Sequence, residues 1–248
     1  MNEENIDINH EPREKVQEQF NRVLTAVGLQ TQDLKGKTVL DAGSGRRFLE
    51  RGARLLGIDT SIVSLDKNIV RLTKNEDPVG TGVVTDIYQG LPFQDEVFDT
   101  IINVGGPIHG GPYSEMSYNF YSESLRLLKP NGELRTTAPL FIDGINTVLY
   151  FENRDGNLEI PKEDIEKYLQ YNNNANLDDR GVPDEYDDYW LGIYKSFLSK
   201  EQQVSLNQYL IEELVSGFKE NGLSVNAELH DTGMFNFYNP YMVLKKHE

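Results

Sequence analysis

The stretch Val39-Leu40-Asp41-Ala42-Gly43-Ser44-Gly45-Arg46-Arg47-Phe48 decides how the rest of the chain is read. A short apolar run leads into a carboxylate, then into two glycines one residue apart, then into a segment of helical character. That order predicts a strand, a tight turn and a helix N-terminus. Glycine has no Cβ, so at Gly43 and Gly45 a ligand can come close to the backbone. The pair Arg46-Arg47 is the departure, because a third small residue is expected where two long cations stand.

Downstream of the turn, strand and helix signals alternate. A first strand is expected over 37–41, a helix over 46–57, and a second strand over 61–66 that ends on Asp66. A short helix over 69–74 leads to a third strand over 82–86, again ending on a carboxylate, Asp86. The fourth strand, 98–104, carries Asn103 near its end; a helix over 114–128 and a turn at Pro130-Asn131-Gly132 lead to a fifth strand over 133–138. Alternation at this spacing argues for a parallel sheet covered on both faces. Ligands bind such sheets at the carboxyl ends of the strands. Asp41, Asp66, Asp86 and Asn103 all fall at such ends. Taken singly, each Asp reads as ordinary turn chemistry; four polar strand ends around one glycine turn read as a binding site.

Upstream, residues 1–10 are polar, and Pro12 suits the first turn of a helix. Val16, Phe20, Val23, Leu24 and Val27 make one face of that helix, and Gly28 stops it. The plain expectation is a helix packed on a sheet edge; the functional alternative is a lid over a ligand site. Past Leu140 the pattern changes. Residues 141–198 are aromatic and acidic and read as an insertion, with Tyr150, Phe151, Tyr186, Tyr189, Trp190 and Tyr194 able to wall an apolar or cationic ligand. The Asp run of this segment matches no Ca²⁺ loop and reads as a solvated loop, so no metal is expected. Ser199 with Gln202 forms a capping box for a helix carrying Leu206, Leu210, Leu214 and Phe218, and two final strands follow over 223–229 and 241–244.

The 248 residues suit one domain, 1–248, with a helical extension over 1–35 and the insertion over 141–198. The net charge of −16 repels phosphate backbones and disfavours nucleic acid as a partner. No apolar run approaches the ~20 residues of a membrane span, and the N-terminus has no signal-peptide core. The chain has no cysteine, which rules out disulfides, thiolate catalysis and Cys-ligated metal. A cytoplasmic protein away from membranes is expected.

The order of parts resembles the class I S-adenosylmethionine-dependent methyltransferases. The matching residues are Val39-Leu40-Asp41-Ala42-Gly43-Ser44-Gly45, then Leu65-Asp66, then Asp86 with Leu91-Pro92-Phe93 and Val97-Phe98-Asp99, and finally Leu127-Leu128-Lys129-Pro130-Asn131-Gly132-Glu133-Leu134. The resemblance covers about 36–140 and 200–246. A nicotinamide-dinucleotide fold would want a third glycine at Phe48. The resemblance implies an α/β three-layer sandwich with a seven-stranded, mostly parallel sheet, the last strand antiparallel and helices on both faces. It implies S-adenosyl-L-methionine as cofactor. Gly43 and Gly45 would let the backbone approach its methionine and ribose part, and the following helix N-terminus would face its carboxylate. Asp41 would help hold the turn and the amino group, and Asp66 would accept both ribose hydroxyls. Asp59 is a rival for that role, but choosing it would leave the first helix only about two turns long, against a usual ~11–12 residues. Asp86 would take the adenine amino group, with Ile87 against the ring, and Asn103 would serve the methionine end.

After strand four, Gly105-Gly106-Pro107-Ile108-His109-Gly110-Gly111-Pro112-Tyr113 would lie where the methyl group sits. His109 is the candidate base and Tyr113 a candidate orienter; the plain alternative is an ordinary loop histidine. The insertion would build a substrate cap. The implied function is O- or N-methylation of a small-molecule substrate. The alternative, motivated by Arg47 where the family usually has glycine, is a methyltransferase-fold protein with a degenerate cofactor site serving as a binding or scaffold subunit.

Overall fold

The computed structural model describes residues 11–73, 81–87, 90–104, 115–137, 200–232 and 240–247. The insertion and the His109 loop lie outside these residues. Seven strands, β1 (Thr38–Ala42), β2 (Ser61–Asp66), β3 (Thr81–Val84), β4 (Phe98–Asn103), β5 (Leu128–Thr137), β6 (Val225–Asp231) and β7 (Pro240–Lys246), form one sheet. Their order is β3-β2-β1-β4-β5-β7-β6. Parallel pairing joins β3 to β2, β2 to β1, β1 to β4 and β4 to β5. β7 runs antiparallel to both β5 and β6, so it is the one reversed strand.

Side chains alternate across the pleat, so each central strand feeds two cores. Leu40, Ala42, Leu65 and Ile101 enter one, with Phe120, Tyr121 and Leu125 of α4 (Glu115–Leu127) and Leu214 and Phe218 of α5 (Lys200–Glu220). Val39, Ile62 and Ile102 enter the other, with Phe20 and Leu24 of α1 (Arg13–Ala26) and Leu49 and Ala53 of α2 (Phe48–Leu55). The short α3 (Ile69–Thr73) joins β2 to β3.

Three local expectations are corrected. α1 does not sit on a sheet edge: Phe20 and Leu24 share a core with Val39 and Ile102 of the sheet's middle strands. Gly52 permits this, since a Cβ there would come within 2.4 Å of the Phe20 ring. α2 begins at Phe48, not at Arg46, because Arg47 adopts the left-handed conformation, φ 58° and ψ 37°, which a right-handed helix cannot contain. The turn expected at Pro130-Asn131-Gly132 lies within β5, where the register against β4 shifts between Phe98 and Thr100 and Asn131 has φ 64°. Asn is among the residues that tolerate this conformation, and the result is a bulge in a continuous strand.

Strand order reverses between β1 and β4. That reversal opens a crevice at their carboxyl ends, where the glycine turn leaves β1. Among the described residues, no helix is long and apolar enough to cross a membrane.

Candidate functional site

The turn is built by anchoring its own N–H groups to β2. Gly43 and Ser44 N–H both donate to the Leu65 carbonyl, at 2.8 and 2.9 Å. Gly45 N–H donates to Asp66 Oδ2 at 2.9 Å, and Asn68 N–H to Asp66 Oδ1 at 2.8 Å. Asp66 therefore braces the turn while each of its oxygens keeps lone-pair capacity for a further donor. Gly43 and Gly45 have φ of 76° and 53°, a region that favours glycine. A Cβ built on Gly45 would meet nothing within 4 Å among the described residues.

Arg47 is the departure from the glycine-rich pattern that could obstruct a ligand. Its side chain turns back on its own helix, Nε donating to Glu50 Oε2 at 2.9 Å and Nη2 to Glu50 Oε1 at 2.8 Å. This is a bidentate pair at i,i+3. Glu50 Oε2 also accepts the Ser64 hydroxyl at 2.9 Å, so the pair is tied to β2. Both side chains are shielded, 8% and 12% exposed. A non-glycine residue in the left-handed region costs roughly 1–2 kcal/mol, and the two charge-assisted bonds offset it. Arg46 points elsewhere, donating to Glu11 at 2.9 Å.

Asp41 lies on the same strand face as Val39, toward α2, and is 5% exposed. Burial and the negative charges of Glu50 and Asp66 push its carboxyl up to about 7. Among the described residues it has no ion-pair partner. Asn103, at the end of β4, is fully buried, and among the described residues neither its Oδ1 nor its Nδ2 has a hydrogen-bond partner. The Ser44 hydroxyl is likewise buried and unpartnered. An unmade hydrogen bond to a buried polar group costs about 1–3 kcal/mol, and a polar ligand at this end of the sheet could supply the partners these atoms lack among the described residues.

The remaining expected site residues are distributed as follows. Asp59 is exposed before β2, at the opposite end of the strand from Asp66, so it is remote from the turn. Asp86 lies two residues beyond the end of β3, which stops at Val84. Ile87 is buried in the core cluster that holds Leu65 and Leu91. His109 and Tyr113 lie outside the described residues. Glu50, Ser64 and Ser44 were missed by the sequence reading. Only the Arg47-to-Glu50 spacing carried a signal, since i,i+3 places the two on one helical face.

No protein-family model matches the chain, and no curated protein matches it. Solved structures do. The plantazolicin methyltransferase BpumL, in complex with a pentazolic desmethylPZN analogue and S-adenosylhomocysteine (SAH), is 13% identical, with 95% of this chain and 91% of that chain covered and a TM-score of 0.50. A complex of the Haloferax volcanii Trm112 methyltransferase activator with its candidate methyltransferase is 13% identical over 95% of each chain, TM-score 0.50. An S-adenosylmethionine-dependent methyltransferase from Aquifex aeolicus is 14% identical over 95% of this chain and 98% of that one, TM-score 0.43. At these identities the likeness concerns the fold: the chain has the class I methyltransferase fold, with the seven-stranded mixed sheet described above.

Proposed function

We propose that the chain binds S-adenosyl-L-methionine at the carboxyl edge of its sheet and methylates a small-molecule acceptor at oxygen or nitrogen. The observations that carry this reading are the space at Gly45, open among the described residues, and the Arg47 side chain paired with Glu50 on its own helix. The degenerate-site alternative rested on Arg47 filling the cleft, and its side chain takes another course. The complex of the structurally similar BpumL with SAH adds support at the level of the fold.

The residues present suit the group. Asp66 has acceptor capacity left for ribose hydroxyls, and Asp41 offers a buried carboxylate to an ammonium. Asn103 and Ser44 have polar atoms to satisfy. Asp86 and Ile87 are assigned to the adenine. When bound, the cofactor supplies an electrophilic methyl on a sulfonium. The protein's part is then to align the acceptor and exclude water. The segment 141–198 is assigned to the substrate cap and His109 to the base. With a net charge of −16, nucleic acid is not the proposed acceptor. A cytoplasmic location goes with this reading.

Calorimetry with SAH tests the proposal. The expected Kd lies below about 100 µM, inside the ~1 µM to ~1 mM span usual for enzyme ligands. Asp59→Ala should bind like the parent. Absence of binding up to ~1 mM, which is about −4 kcal/mol, would sink the cofactor reading and favour the scaffold alternative.

A further inference from the structure

The first cation of the turn reaches 35 residues upstream. Arg46 Nη1 donates to Glu11 Oε1 at 2.9 Å, and Arg51 Nη1 donates to Glu11 Oε2 at 2.7 Å. Each oxygen of one carboxylate thus holds a different guanidinium. Lys15, in the first turn of α1 and four residues after Glu11, adds a looser contact at 3.4 Å. Arg51 also donates to the Arg46 carbonyl at 3.5 Å and lies over the Phe48 ring, 5.6 Å from its centroid. Glu11 and Arg51 are 12% and 10% exposed, so theirs is not a solvated surface pair, while Arg46 caps it from the outside at 42% exposed. Burial pushes the Glu11 carboxyl up, but the hydrogen bonds from Arg51, Arg46 and Lys15 outweigh it and hold it below the usual range.

The position of the clasp gives it a use beyond packing. Glu11 precedes the first residue of α1 by two, while the body of α1 is held independently by Phe20 against Gly52. The clasp therefore fixes only the leading end of α1. It fixes it to Arg46, the residue between Gly45 and the left-handed Arg47. The backbone there has positive φ on either side; hydrogen bonds tie the turn to β2 on its inner side, and the clasp adds a tether to α1 from the Arg46 side chain. A turn held in one shape loses less conformational entropy when a ligand docks on it.

We propose that Glu11 is a positioning residue for the cofactor turn, and that its clasp on Arg46 and Arg51 links ligand binding at Gly43 and Gly45 to docking of the leading end of α1. The inference rests on the cofactor reading above. The linkage is reciprocal: whatever the clasp adds to ligand affinity, ligand returns to the clasp.

The test combines calorimetry and hydrogen exchange on the full chain, with SAH as the probe. In the parent protein, SAH should slow amide exchange at the start of α1 as well as in the turn. Glu11→Gln and Arg46→Met should each weaken SAH binding about tenfold, within the 5- to 150-fold usual for coupled sites. Both should abolish the ligand-dependent slowing at the start of α1, while the second half of α1 stays protected. If the parent binds SAH and both variants bind it within twofold of the parent, the linkage is overturned and the cofactor reading stands. If the parent binds no SAH, both fall together.

Discussion

The two ends of the same sheet treat their carboxylates in opposite ways. At the amino end, Asp99 accepts the Thr38 N–H at 2.8 Å, and the Lys129 ammonium reaches both of its oxygens at 2.9 Å. Burial pushes its carboxyl up, but the Thr38 bond and the Lys129 charge more than offset this and hold it below the ordinary range. At the carboxyl end Asp41 is buried beside two other carboxylates and is raised to about 7. Asn103, at the same end, is buried with both amide atoms unpartnered among the described residues. At the amino end the Asp99 charge is met by partners of the chain itself. The carboxyl end holds polar groups that have no compensating partner among the described residues, as functional sites do.

The sharpest way to break this contrast is to remove one carboxylate from each end. Asp66→Ala should weaken SAH binding by more than about 100-fold. It removes a charged acceptor, and losing hydrogen bonds to such a group costs roughly 1.5–3 kcal/mol each; it also unties Gly45. Asp99→Ala should bind SAH within twofold of the parent. Equal losses in the two calorimetric titrations would erase the distinction between the ends.

The next largest effect concerns Arg47. Arg47→Gly relieves the left-handed strain, roughly 1–2 kcal/mol, but strands Glu50 among Ser64, Asp41 and Asp66. Breaking a buried pair from one side costs about 3–5 kcal/mol. The net loss should be about 1–4 kcal/mol, a fall in Tm of roughly 2–16 °C for a chain of this size. Adding Glu50→Gln should recover most of it. A single variant as stable as the parent would mean the pair contributes nothing.

The pH dependence should have opposite signs at the two ends. The folded pKa of Asp41 lies above its ordinary value of 3.8, so its contribution to stability is complete below about pH 4 and is lost as pH rises through about 7. Asp41→Asn should remove that decline, so denaturant titrations at pH 5.5 and pH 8 should differ less for the variant than for the parent. A parent no more pH-sensitive than the variant would contradict the burial argument. Asp99 acts in reverse: its folded pKa is lowered, so its contribution is present above about pH 4 and is lost in more acid solution. Asp99→Asn should cost only about 1 kcal/mol at neutral pH, the smallest of these effects.

Much of this fold can be read from the chain because local signals agree with global ones. The run Ser61 to Asp66 is a strand that ends on its carboxylate, as its pattern predicts, and the glycine turn follows β1 as expected. The parts that escaped reading depend on conformations or partners that spacing does not reveal. Arg47 has no sequence mark of a left-handed residue, so the start of α2 expected from the pattern falls two residues early. Pro130-Asn131-Gly132 has turn composition, yet pairing with β4 and β7 carries a strand through it. Glu11 and Arg46 are 35 residues apart, and no periodicity announces that they meet.

A structure of the full chain with SAH at saturating concentration tests the carboxyl-end site most directly. The ribose hydroxyls should lie within hydrogen-bond distance of Asp66, the amino-acid part beside Gly43 and Gly45, and the Asn103 amide should have gained a partner. A ligand bound elsewhere, or an unchanged Asn103 beside an empty turn, would contradict the assignment.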